Sequence, residues 1–314
     1  MWFSPDRAKA RLRALIREST TEAIDLRVGS IASELQAMRD EMRRLFESQE
    51  RSSERLETVR EMVSAEFDEV PFLGRELRRI RQSAEYEQAF GVDEPLVSVR
   101  IATYNNPQLL VERAIASVLA QTYERIEVIV VGDACTDDTE KCVAAVGDPR
   151  IRFFNLPVRG GYPEDPRNRW LVAGSPAMNF GAQLAQGLWI APLDHDDEFV
   201  PDHVETLLAA ARSRELELAY GKLLAITPDG RDNWEIGVFP PRLGEFGFQG
   251  AIHPTALRFF EYNPKSWIVN EPGDWNLCRR MLEAGVRIGL VEKVVTRYYP
   301  GPFGLAPRDP QGDA

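Results

Sequence analysis

Three aspartates, Asp194, Asp196 and Asp197, fall within four residues directly after the apolar run LWIAPL. Carboxylates so close together repel one another unless a cation or solvent neutralises them. Two readings accommodate them. One is a divalent cation site; the other is the acidic start of a helix, because DDEFVPDHVETLLAAA begins here and a helix N-terminus favours negative charge. If a cation binds, hard oxygen donors suit Mg²⁺ or Mn²⁺ shared with a diphosphate, whereas three histidines and three cysteines in the whole chain offer little to zinc. Other polar clusters follow apolar runs in the same way. TYNNP, with Thr103, Tyr104 and Asn105, follows VSVRIA, and DACTDDT, with Asp133, follows IEVIVVG. In the latter, Asp137 and Asp138 suit the N-cap of the next helix.

These clusters sit where an open α/β sheet binds its ligands, just beyond the carboxyl ends of the strands. From Val97 the chain alternates short β-branched runs (VSVRIA, IEVIVVG, IRFFNL, LWIAPL, LELAYGKLLAI) with amphipathic helical stretches. That pattern predicts an α/β domain with a mainly parallel sheet. Upstream the pattern differs. Up to Ala89 the only helix breakers are Pro5, Pro71, Gly29 and Gly74, and apolar residues recur at spacings of four and three from Ile24, Val28 and Ile31 to Val59, Val63 and Val70. The stripe is interrupted at Gln49, Ser52 and Glu66 but resumes in phase, as in a coiled coil. A helix from Ile24 to Val70 would span roughly 70 Å, which points to a second copy as partner and hence a homo-oligomer; packing against the chain's own domain is the alternative. Trp2, Phe3, Leu12 and Ile16 among Arg7, Lys9, Arg11 and Arg13 make a basic amphipathic segment. It could rest on an anionic membrane surface or simply begin the helix. Gly91 and Pro95 mark the linker, so the expected division is a helical region 1–94, a catalytic domain 95–304 and a flexible tail 305–314.

Composition narrows the class. The 314 residues carry 49 acidic against 38 basic side chains, net −11, which disfavours nucleic-acid phosphate as a partner. No run of 18 apolar residues and no apolar leader follows Met1, so neither a membrane span nor a signal peptide is expected. Three cysteines without a CxxC pair suit a reducing, cytoplasmic compartment.

Residues 97 to about 300 resemble the family 2 glycosyltransferases of the GT-A fold through VSVRIATYNN, IEVIVVGDACTDDT, MNFGAQLAQGLWIAPLDHDDEF and GDWNLCRRMLEAG, in order and spacing. The resemblance implies a nucleoside-diphosphate-sugar donor, a UDP-sugar first, and inverting transfer to a hydroxyl of a glycan, lipid-linked or protein acceptor, in surface polysaccharide or glycoconjugate synthesis. It places Thr103, Tyr104 and Asn105 around the nucleobase and ribose and makes Asp133 the acceptor of the base's N–H. Asp194 and Asp196 fall on the family's DxD: the first meets ribose or metal, the second the metal bridging the diphosphate. His195 between them points away if the segment is extended. Asp274 becomes the general base, or else the N-cap of its helix, with Glu271 in reserve because Gly273 stands where the family has a glutamate. Asn179 matches a donor-site position. Met178 stands where an arginine commonly precedes it, so the cationic role passes to Arg159, Arg167 or Arg169 in a long loop whose Gly160 and Gly161 let the backbone approach the nucleotide. No late histidine completes the metal shell, which leaves Tyr298, Tyr299 or water. Trp267 and Trp275 suit an acceptor-side wall, and His253 lies toward that side or in the core. The alternative from another class is a catalytically degenerate domain serving as a sugar-binding or scaffolding module on a coiled coil.

Overall fold

The computed structural model describes Lys9, Gln36, Glu41, Arg44 and residues 69–227 and 230–301. The chain divides into two compact units, Met1–Val63 and Ser64–Ala314. The heptad stripe up to Val63, the basic N-terminal segment apart from Lys9, and the tail 305–314 lie outside the described residues.

Within the second unit, helices α1 (69–80) and α2 (Ala84–Gly91) precede the sheet. Leu73 and Leu77 continue the spacing of the apolar stripe, and both are buried in a cluster with Leu277 and Met281. The stripe therefore ends against the chain's own fold. Glu69 pairs with Arg280 at 2.9 Å, and the buried Glu217 carboxylate accepts from Arg81 Nε, Tyr86 Oη and the Arg287 N–H. The expected boundary at residues 94/95 falls inside this unit. Gly91 ends α2 and Pro95 precedes β1, so the linker that suggested it joins two elements of one unit.

The remaining elements follow in order: β1 Val97–Thr103, α3 (107–119, with a π-helical middle Leu110–Ile115), β2 Ile126–Gly132, α4 Thr139–Val146, β3 Ile151–Asn155, α5 Pro166–Val172, α6 Ser175–Gln183, β4 Trp189–Asp194, β5 Glu198–Phe199, α7 His203–Ser213, β6 Leu218–Ala225, β7 Trp234–Ile236, β8 Ala251–Pro254, α8 Gly273–Ala284 and β9 Ile288–Tyr298. The sheet order is β3-β2-β1-β4-β8-β6-β9-β5, with β7 beside β6. β3, β2, β1 and β4 run parallel, as expected. β8 is antiparallel to both neighbours, and β5 and β7 also pair antiparallel, so the sheet as a whole is mixed. Every residue of β1 and β2 is buried, as for parallel strands covered on both faces. Trp189 anchors one side: it is fully buried, donates its indole N–H to the Ala89 carbonyl at 2.8 Å and meets Phe90 edge-on. Burying a side chain of this size contributes about 3 kcal/mol, so α2 is fastened to the sheet by packing as well as by hydrogen bonds.

Candidate active site

β1 lies between β2 and β4, and its carboxyl end opens the crevice. Thr103 pairs with Gly132 across one edge and Ala102 with Asp194 across the other. The Thr103 carbonyl accepts the Asp133 N–H at 2.8 Å, which holds Asp133 at this switch point. A cavity of about 420 Å³ results, and Asp133, Asp194, Asp196, Asp197 and Asp274 all line it.

On the β2 side, the Asp133 carboxylate is 2% exposed and fully engaged. Its Oδ2 accepts from Tyr162 Oη at 2.7 Å, its Oδ1 from the Gly160 N–H at 3.2 Å, and Arg159 Nε lies 3.7 Å away. Tyr104 lines the cavity with the Arg159 guanidinium 3.5 Å over its ring. Asn105 is turned away. It adopts a left-handed backbone (φ 46°), and its amide clasps Thr136, accepting from the N–H at 2.8 Å and donating to the hydroxyl at 3.2 Å. Asn105 therefore shapes the β2–α4 loop from outside the cavity. Asp137 accepts the Thr139 N–H just ahead of α4, while Asp138 holds the cap position without a side-chain cap bond and pairs with Lys141. Gly160 and Gly161 do not line the cavity either. A Cβ on Gly160 would come 2.6 Å from the Tyr162 ring, so this glycine serves the loop's own packing.

On the β4 side the chain turns after Asp194, and the Asp197 N–H closes the turn onto the Asp194 carbonyl at 3.2 Å. Strand alternation therefore does not govern His195, which joins Asp194 and Asp196 at the cavity instead of pointing away. Asp197 is buried. Its Oδ1 accepts the Tyr299 N–H at 2.9 Å, while its Oδ2 has no hydrogen-bond partner. Burial, then the charges of Asp274 and Asp196, raise the Asp194 carboxyl well above the carboxylate range. Burial beside Asp194 and Asp196 does the same to Asp197. The turn is braced from behind by Arg113, in the π-helical stretch of α3. This residue donates to the Asp196 carbonyl at 2.5 Å and lies 3.6 Å over the Tyr299 ring. The Tyr299 hydroxyl donates to Glu198 at 3.1 Å, an arrangement that supports the turn and does not offer the oxygen as a metal ligand.

Asp274 lies in the first turn of α8, but it does not cap that helix. Pro272 holds the cap position, and Asp274 Oδ2 accepts the N–H of Phe248, from a different segment, at 2.9 Å. Burial raises its proton affinity, opposed by the Phe248 N–H, the Arg100 charge and the Tyr262 hydroxyl. Glu271, the reserve base, is outside the cavity: it accepts from Asn276 at 2.7 Å and from Arg279 Nε and Nη2 at 2.9 Å. Asn179 is outside as well. Its amide pairs with both backbone groups of Tyr262, at 2.9 and 2.8 Å, and so places that ring. Trp275 lines the cavity together with Trp170, whereas Trp267 does not; of the three loop arginines only Arg159 does. His253 lies on β8 opposite Ile190, and burial pushes it down to about 4.

Arg100 escaped the sequence reading. It lies in the middle of β1, 4% exposed, with Nη2 3.4 Å from the Tyr262 hydroxyl. A Cβ at Gly181 would come 2.8 Å from its Cγ, so α6 leaves room for the arginine stem by having a glycine there. The signal was a charged residue inside an otherwise apolar strand, which a buried position tolerates only with partners.

For a divalent cation, the fit rests on the donor set. Asp194 and Asp196 provide hard oxygens, and their mutual repulsion is what a cation relieves. Among the described residues no three His, Cys, Asp or Glu side chains converge as a finished metal cage, so two carboxylates would leave the other positions to phosphate oxygens and water. No helix among the described residues is long and apolar enough to cross a membrane.

Comparison with known proteins matches the model of glycosyl transferase family 2 to residues 98–265. The chain belongs to this family. The chain is 37% identical over 137 residues to the succinoglycan biosynthesis protein ExoO of Rhizobium meliloti, covering 44% of this chain and 36% of that one. It is 34% identical over 119 residues to the putative colanic acid biosynthesis glycosyl transferase WcaA of Escherichia coli, covering 37% and 38%. These matches thus span little more than a third of each relative. Among solved structures, S. aureus TarS 1–349 in complex with UDP-GlcNAc superposes with a TM-score of 0.53 at 18% identity, over 66% of this chain and 59% of that one, which places this chain in the same fold.

Proposed function

We propose that this glycosyltransferase moves a sugar, with inversion, from a nucleoside diphosphate sugar to an acceptor hydroxyl, using Asp274 as general base and Asp194 and Asp196 to hold Mn²⁺ or Mg²⁺. The observation that carries this reading is that one cavity gathers Asp133 from the end of β2, the Asp194–Asp196 turn from the end of β4 and Asp274 from the first turn of α8. Such a set suits a donor with its base at Asp133, its diphosphate at the Asp194–Asp196 turn and its anomeric carbon toward Asp274. A divalent cation bound there supplies neutralisation of the charge that builds on the leaving diphosphate. Tyr104 and Thr103 flank the base and ribose, and Asp133 accepts from the base. Asp274 takes the acceptor's proton as the hydroxyl attacks. Trp275 and Trp170 give that side an apolar wall suited to a sugar face. The engaged, buried Asp274 speaks against the degenerate-module alternative, because a purely structural carboxylate gains nothing from a cavity that raises its proton affinity.

UDP is the first donor to test, supported by the UDP-GlcNAc in the TarS structure, and the roles named for ExoO and WcaA support surface polysaccharide synthesis. Self-association through the heptad stripe, contact of the basic segment with the inner membrane face and a cytoplasmic location belong to the same proposal. The test is a panel of nucleoside diphosphate sugars scored for slow metal-dependent hydrolysis, followed by NMR of the product's anomeric configuration. A folded protein that neither binds nor turns over any member would refute the donor assignment, and a retained configuration would refute inversion.

A further inference from the structure

Asp133 and the face of Tyr104 are the two features of the cavity that a nucleobase would use, and both are already taken by the chain itself. Tyr162 Oη donates to Asp133 Oδ2 at 2.7 Å and the Gly160 N–H to Oδ1 at 3.2 Å, leaving the carboxylate 2% exposed. The flat guanidinium of Arg159 lies 3.5 Å over the Tyr104 ring, where a planar base would stack. All three residues belong to the loop between β3 and α5. The Tyr162 hydroxyl also accepts the Gly174 N–H at 3.0 Å, so the phenol links Gly174 to Asp133 while Gly160 reaches it through its own N–H. Gly160 is part of the device, since any larger residue would strike the Tyr162 ring.

We propose that Arg159, Gly160 and Tyr162 form an internal competitor for the nucleobase, imitating its plane and its hydrogen-bond donors, and that donor binding must displace them. The inference rests on the nucleoside diphosphate sugar reading above. The latched form holds the base site closed, so the apparent affinity for nucleotide is the intrinsic one reduced by the fraction of molecules with the latch open. Removing the phenol oxygen should therefore strengthen nucleotide binding, opposite to the usual result of deleting a polar group at a binding site. It also leaves the latch weaker by a hydrogen bond to a charged acceptor, which belongs to the stronger class of such bonds.

The experiment compares wild type with Tyr162→Phe by calorimetric titration with UDP and GDP in Mn²⁺. The variant is expected to bind the preferred nucleotide about three to ten times more tightly, in line with a predominantly closed latch. Hydrogen exchange provides the second readout: UDP should speed exchange in residues 160–174 of wild type, and Tyr162→Phe should exchange fast there before nucleotide is added. Equal or weaker binding by the variant, with binding by wild type intact, overturns the competition and leaves the donor reading standing. UDP slowing exchange in that segment would also overturn it, because the loop would then close on the nucleotide. Absence of binding by both proteins overturns the donor reading and the latch with it.

Discussion

Replacing Asp274 by asparagine separates chemistry from packing. The Phe248 N–H donates to Asp274 Oδ2 at 2.9 Å, and asparagine retains an acceptor of the same shape for it. What disappears is the negative charge and with it the capacity to take the acceptor's proton. A positioned general base contributes about 10² to 10⁴ in rate, or about 3 to 5.5 kcal/mol of barrier. On the proposed donor placement Asp274 would face the acceptor and not the base or ribose, so kcat should fall by that factor with the donor KM unchanged. The substitution should also stabilise the protein. Burial raises the proton affinity of Asp274, and its charge in turn raises that of Asp194, so ionising this side chain opposes folding. Relieving such active-site conflicts commonly adds about 0.5 to 2 kcal/mol. In a domain of this size each kcal/mol moves the melting temperature by about 2 to 4 °C. Single-turnover transfer measures the first effect and thermal unfolding in metal-free buffer the second. Wild-type kcat in Asp274→Asn would remove the residue from the mechanism, and an unchanged or lower melting temperature would refute the buried-charge argument independently.

Asp196→Ala should abolish transfer while the turn survives, since Arg113 holds Asp196 through its backbone carbonyl; Mn²⁺ should raise the melting temperature of wild type and leave that of the variant unmoved. Arg113→Met removes a charged donor worth about 1.5 to 3 kcal/mol, so kcat/KM should drop roughly tenfold to a hundredfold and more Mn²⁺ should be needed for half-maximal rate. Unchanged metal dependence would show that the brace does not position the turn. Burial pushes His203 down to about 3, so below about pH 6.5 the unfolded chain takes up a proton there that the folded chain refuses. Stability then falls by about 1.4 kcal/mol per pH unit for this residue until its folded value is reached. Asp194, Asp197 and Asp274 have raised folded values and act in the opposite sense, because each gains stability as pH falls through its folded value. The measurement is therefore a difference: His203→Gln should make the acid side of the stability–pH curve shallower by about one proton relative to wild type, and parallel curves would refute the assignment.

The parts of the site that follow strands were readable because a strand's end fixes where its next residue goes. Asp133 just after β2 and Asp194 at the end of β4 each needed only a buried apolar run and the rule that ligands lie beyond the carboxyl ends of strands. Asp196 came with them. Asp274 was readable as a carboxylate at the start of an amphipathic helix, although its partner, the Phe248 N–H, was not, since that bond joins segments 26 residues apart. Glu271 and Asn179 failed for the same reason in reverse. Their residue types suit chemistry, but Arg279 and the Tyr262 backbone claim them first, and nothing local announces either partner.

Charge explains why the remaining residues matter and why they were hard to find. Five carboxylates line the cavity, and Arg159 is the one arginine or lysine among the described lining residues. Arg100 and Arg113 stand just behind that lining, one buried in β1 beside Tyr262 and one bracing the Asp196 carbonyl, and each lowers the cost of gathering so much negative charge in a low-dielectric crevice. Their partners, the Tyr262 hydroxyl and the Asp196 carbonyl, lie 162 and 83 residues away in the chain, so no local spacing marks either arginine. Only Arg100 carries a signature, as the one charged residue in the fully buried strand VSVRIAT; Arg113 follows Glu112 on a partly exposed helix face and looks ordinary there. A charge that the packing does not need belongs to the site, and the strands on either side of β1 show where that site must be.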